Sequence, residues 1–88
     1  MTTKAPSQVL PAPDSSIEHI AYKSVEGIPA VEPHDLDRLG YCVWLFLKHR
    51  RDSLDETVRN AGARLKVSEA DAIKAIREKL MSAGVELG

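Results

Sequence analysis

The chain has 88 residues, 43% of them hydrophobic, which allows one small domain whose modest buried fraction gives a partner or a second copy something to stabilise. Its formal net charge of −1 at pH 7 excludes a strongly basic nucleic-acid binder but not a local basic face. The charges are unevenly divided: Lys4 and Lys23 stand against Asp14, Glu18, Glu26, Glu32 and Asp35, so the remainder of the chain is basic.

Residues 1–16 hold three of the five prolines among small and polar residues, with only Val9 and Leu10 as apolar bulk, and predict a disordered arm. Residues 17–34 are more apolar, through Ile20, Tyr22, Val25, Ile28 and Val31, but Gly27 and Pro29 interrupt any helix. This segment reads as a short hairpin turning at Glu26 and Gly27, or as an extended stretch lying on the core. It is either a docking peptide that orders on a protein partner or a loosely packed tail.

The folded domain is expected over residues 35–88. Asp35 is the expected N-cap of a first helix from about Leu36 to His49, since Leu36, Leu39, Val43, Phe46 and Leu47 recur at helical spacing. Cys42, Trp44 and Leu45 widen its apolar face and make it the central core element. Trp44 is then either a core side chain or the anchor of a protein or dimer interface. Lys48, His49, Arg50 and Arg51 close the helix, complementing its dipole or clamping a phosphate. The longest apolar run, Tyr41 to Leu47, is too short to span a bilayer, and the N-terminus has no signal-peptide core. With Cys42 as the single cysteine, no internal disulfide forms; the expectation is a cytoplasmic protein without a membrane.

Residues 53–84 predict two further helices joined by a tight turn. Ser53 with Glu56, and Ser68 with Asp71, have capping-box spacing. Leu54, Val58, Ala61 and Leu65 share a face, Gly62 marks a close helix crossing, and Gly84 is the left-handed exit with Val85 folding back on Leu80. The fold class is therefore all-α, a three-helix domain, with any β segment confined to residues 17–31 or 85–87.

The small and apolar residues Ala61, Gly62, Leu65, Val67, Ala72 and Ala75 stand where bacterial helix-turn-helix regulators want them, and residues 53–87 resemble that domain in its winged-helix-like form. Lys66 replaces the usual turn glycine, and Gly88 arrives too early for a wing. The resemblance implies a dimer on double-stranded DNA, with Ser68, Lys74 and Arg77 in the major groove and Arg50, Arg51, Arg64 and Lys66 on phosphates. On that alignment Ile73 faces outward beside Glu69, although its spacing to Ile76 and Leu80 is that of a core residue.

Enzymatic chemistry has no support. His19, His34 and His49 are dispersed and have no metal-ligand spacing with Cys42, and neither a phosphate loop nor an isolated carboxylate pair is present, so no cofactor is expected. The second reading is a protein-interaction module, an adaptor or inhibitor of a larger complex, using the Ile73 face, Trp44 or residues 17–34.

Overall fold

The computed structural model describes residues 13–87 and contains four α-helices: α1 (Pro13–Val25), α2 (Pro33–His49), α3 (Leu54–Asn60) and α4 (Glu69–Ser82). The all-α expectation holds, but there are four helices where three were expected. Of the expected N-terminal arm, residues 1–12 lie outside the described residues, and residues 13–16 form the start of α1. Residues 17–25 are helical, not a hairpin or an extended stretch.

The physical reason is a face that purely hydrophobic counting misses. Ala21, Ser24, Val25 and Ile28 are buried and Ile17 and Ile20 half-buried, which is a helical stripe once the small residues are included. Ser24 is accommodated because its hydroxyl donates to the Ala21 carbonyl at 2.6 Å. Pro13 opens the helix at a position where a missing N–H costs nothing. The turn at Glu26 and Gly27 exists as the exit of α1, with Gly27 at φ +90° and Lys79 Nζ donating to the Glu26 carbonyl at 3.2 Å.

Beyond that turn, residues 29–31 pair with residues 64–66. Val31 N donates to Arg64 O at 3.0 Å and Lys66 N to Pro29 O at 2.8 Å, around a single antiparallel bridge between Ala30 and Leu65. That bridge is the β structure found among the described residues; residues 85–87 form none.

α2 begins earlier than expected. Its N-cap is Glu32, with Pro33 just inside the helix, and Asp35 lies in the first turn, its carboxylate accepting from Glu32 N at 3.1 Å. Asp35 is 3% exposed and also lies 3.4 Å from Arg64 Nη2, which ties the start of α2 to the strand-like loop before α4. Burial raises its pKa, but hydrogen bonds from the backbone amides of Arg64 and Glu32, together with the Arg64 guanidinium, outweigh it and hold the carboxyl below its ordinary 3.8. A depressed folded pKa contributes stability that is present above the ordinary value and lost as pH falls through the folded one. The stability gap between the wild type and Asp35→Asn should therefore be widest above pH 3.8 and narrow below it, as thermal melts across that range would show. A constant gap would mean that the carboxylate's charge contributes nothing.

α1 and α2 approach closely at Gly40, where an added Cβ would lie 2.5 Å from the Tyr22 ring. α1 packs on α2 and α4, and α3 bridges the same two helices from the other side. The core they enclose includes Leu39, Val43, Ile76 and Leu80, all at 0% exposure, with Val58 and Leu54 from α3.

Both serine caps form as expected: Glu56 N donates to Ser53 Oγ and Asp71 N to Ser68 Oγ, each at 3.1 Å. The expected C-terminal exit also forms, with Gly84 at φ +88° and Val85 N donating to Leu80 O at 3.0 Å. The tight turn does not. α3 ends at Asn60, and residues 61–68 run as an extended connector to α4. Gly62 is not at a helix crossing; it adopts φ +71°, and the nearest atom to an added Cβ would be Arg38 Nη1 at 3.9 Å. The left-handed residue is thus Gly62, well before Lys66, and the connector is tied to residues 29–31 by one amide, that of Lys66, and one carbonyl, that of Arg64.

Candidate partner-binding surface

The cations assigned to DNA sit on several different surfaces. Lys74 and Arg77 line a shallow groove between α3 and α4 together with Asp55, Arg59 and Glu69. Arg77 Nη2 donates to Asp55 Oδ1 at 3.1 Å, and Arg59 Nε lies 3.9 Å from Glu69 Oε1. Such exposed pairs contribute under about 1 kcal/mol each and would break readily. What decides is the acids that share the groove: a phosphate entering it meets Asp55 and Glu69.

Ser68 has its hydroxyl committed to the α4 cap, although an oxygen acceptor there leaves its proton available. Arg64 is turned toward Asp35. Arg50, held in the left-handed conformation at φ 54°, stacks over Phe46 at 5.2 Å and donates to Glu86 O at 2.6 Å, closing the C-terminal segment onto α2. Lys66 and Lys74 are exposed and form no ion pair among the described residues. Of these seven residues, Arg50, Arg64 and Arg77 are engaged with other groups of the fold.

Of the groups assigned to a protein partner, two are used by the fold. Ile73 is 9% exposed and belongs to the core cluster, so the core spacing prevails over the outward position given by the motif alignment. Residues 17–34 are occupied as α1 and the bridge segment.

Trp44 remains. It is half-buried on a flank of α2 that also carries Tyr41, 48% exposed, and Leu45. The Tyr41 and Trp44 rings are 5.6 Å apart at 57°, and Lys48 Nζ lies 5.2 Å from the Trp44 ring. The indole Nε1–H is shielded from solvent and has no hydrogen-bond acceptor among the described residues, a deficit that costs about 1–3 kcal/mol. Such a cost is the mark of a side chain whose ring, not its polar atom, determines its placement.

Beside this flank, between α2 and α3, lies a cleft of about 240 Å³. Its apolar lining is Cys42, Leu45 and Phe46; its polar lining is His49, Arg51, Asp52, Thr57 and Asn60. Burial pushes the Cys42 thiol up, with Arg38 opposing, so the sulfur is a poor nucleophile and acts as packing. Sequence reasoning missed the cleft because its walls are brought together only by the α2–α3 turn; Tyr41, one helical turn before Leu45, carried a signal in its spacing to Leu45 and Lys48.

Among the described residues no three His, Cys, Asp or Glu side chains are grouped so as to hold a metal ion, and no helix is long and apolar enough to cross a membrane. No protein-family model matches the chain, and neither a curated protein nor a solved structure shows significant similarity to it.

Proposed function

We propose that this chain is a protein-interaction module, an adaptor or inhibitor of a larger assembly, that binds through the Tyr41, Trp44 and Leu45 flank of α2 and the cleft beside it. The observation that carries this reading is an exposed aromatic ring, Tyr41, one helical turn before Leu45 of an apolar cleft with a polar rim, the composition typical of the centre of protein interfaces. The alternative, a DNA-binding transcriptional regulator, rests on Lys66 and Lys74 together with cations that sit beside carboxylates, in a chain whose net charge is −1.

The experiment compares the wild type with Leu45→Glu, a half-exposed position that tolerates the change, in two assays. Partner capture should be lost in Leu45→Glu, and mixed-sequence duplex DNA should give no salt-sensitive anisotropy change at low ionic strength. Salt-sensitive DNA binding that survives Leu45→Glu and is lost in Lys74→Ala would overturn the reading in favour of the regulator.

A further inference from the structure

Resting on that reading, we infer that the occupant of the α2 flank is a second copy of the chain, paired about a two-fold axis with the α2 helices antiparallel and each Tyr41 seated in the other copy's α2–α3 cleft.

Three observations converge. The first is a knob and a hole on one surface. Tyr41 presents nearly half of its surface to solvent, and the 240 Å³ cleft begins one residue further along at Cys42 and continues through Leu45 and His49. Tyr41 does not line the cleft of its own chain, and a two-fold pairing of copies seats both knobs in both holes at once, whereas a head-to-tail contact leaves one of each unfilled. An isologous contact of this kind closes after two copies and leaves no open end.

The second observation fixes the register. Antiparallel pairing about a point near Trp44 sets Tyr41 opposite residues 45–49 of the other helix, which are the α2 wall of the cleft. The rim suits the phenol: Thr57 and Asn60 offer a hydroxyl and an amide to its O–H, and Leu45 and Phe46 take the ring face.

The third is charge. Asp37 and Arg38 stand toward the start of α2, and Arg51 and Asp52 just past its end; all four are exposed and form no ion pair among the described residues. Roughly 18 Å of helix between Asp37 and His49 keeps the two groups from pairing within one chain. In the same register Asp37 meets Arg51 of the partner subunit, and Arg38 meets Asp52 of the partner subunit, each pair formed twice by symmetry. Complementary pairs at both ends of an apolar centre select this alignment over a parallel one, which would set like groups together.

The test is sedimentation of the 88-residue chain across a wide concentration range, with four variants. The wild type should show a monomer–dimer equilibrium. Tyr41→Ser, which removes the knob, and Asn60→Trp, which fills the hole, should each weaken dimerisation at least about tenfold while the far-UV spectrum stays unchanged. Asp37→Arg should weaken it, and Asp37→Arg combined with Arg51→Asp should restore it, a rescue that no general loss of folding would give. A monomer at the highest concentration, or a dimer indifferent to both Tyr41→Ser and Asn60→Trp, overturns the inference. Failure here is separable from failure of the broader reading: a monomer whose partner capture is still lost in Leu45→Glu refutes only the second copy. A dimer that obeys all four variants yet binds DNA in a salt-sensitive way refutes only the module.

Discussion

A chain beginning at Glu32 is expected to show no cooperative thermal transition, and its Trp44 fluorescence should be that of a solvated indole. The deletion removes α1 and the bridge segment, and with them Ala21, Val25 and Ile28 from the core. It also strips the cover from α2 and α4, whose inner faces carry Leu39, Val43, Ile76 and Leu80 at 0% exposure. Burying a side chain of this size contributes about 1.5–3 kcal/mol. Uncovering even half of each of the four is comparable with the total stability of a domain this small, roughly 5–10 kcal/mol. Three polar ties go as well, from Val31 N to Arg64 O, from Lys66 N to Pro29 O and from Lys79 to the Glu26 carbonyl. Val25→Asp in the full chain should reproduce much of the loss, because Val25 is 2% exposed and a carboxylate there has no partner. A truncated chain that melts with a near-native midpoint would show that α1 is an appendage.

That expectation reverses what the sequence suggested for residues 17–34, and the reason is instructive. The features read correctly were local ones. Ser53, Ser68 and Gly84 each act within a few residues of where they stand, so capping chemistry alone located both ends of α4 and the start of α3. The apolar stripe of α2 was legible because Leu39, Val43 and Phe46 are large. α1 was not, because two of its inward positions are Ala21 and Ser24, which carry little hydrophobic signal yet allow the close approach that packs Tyr22 against Gly40.

The connector at residues 61–68 was misread for a different reason. Ala61 and Ala63 are compatible with a helix on propensity alone, but Gly62 takes φ +71° and residues 64–66 pair with residues 29–31, more than thirty positions away. Of the candidate surface, Trp44 was legible as a large aromatic on an apolar helix. Its unpaired indole, the cleft beside it and the carboxylates facing Arg77 and Arg64 depend on contacts that only the tertiary fold creates.

Substitutions along α4 and α2 separate core from docking surface by magnitude. Ile76→Ala is expected to lower the unfolding free energy by about 3–5 kcal/mol, because Ile76 is 0% exposed and α4, held between α1 and α3, has little freedom to collapse into the void. Ile73→Ala should cost less, about 2–3 kcal/mol, since its 9% exposure places it at the floor of the α3–α4 groove, where neighbouring side chains and water fill part of the space. Leu45→Ala, on the half-exposed flank of α2, should cost under about 1.5 kcal/mol in the isolated domain. Urea denaturation of the three variants reads these values directly, with unchanged slope showing that the same surface is exposed in each. The order matters for function. If Ile73 were a docking residue, its truncation would leave stability nearly intact and abolish partner binding; as a core residue, its truncation lowers stability and leaves binding by the remaining folded molecules at wild-type affinity. Leu45 shows the opposite pattern, with little lost in folding and most of the interaction gone. A variant pair that exchanged these behaviours would move the interface from α2 to α4.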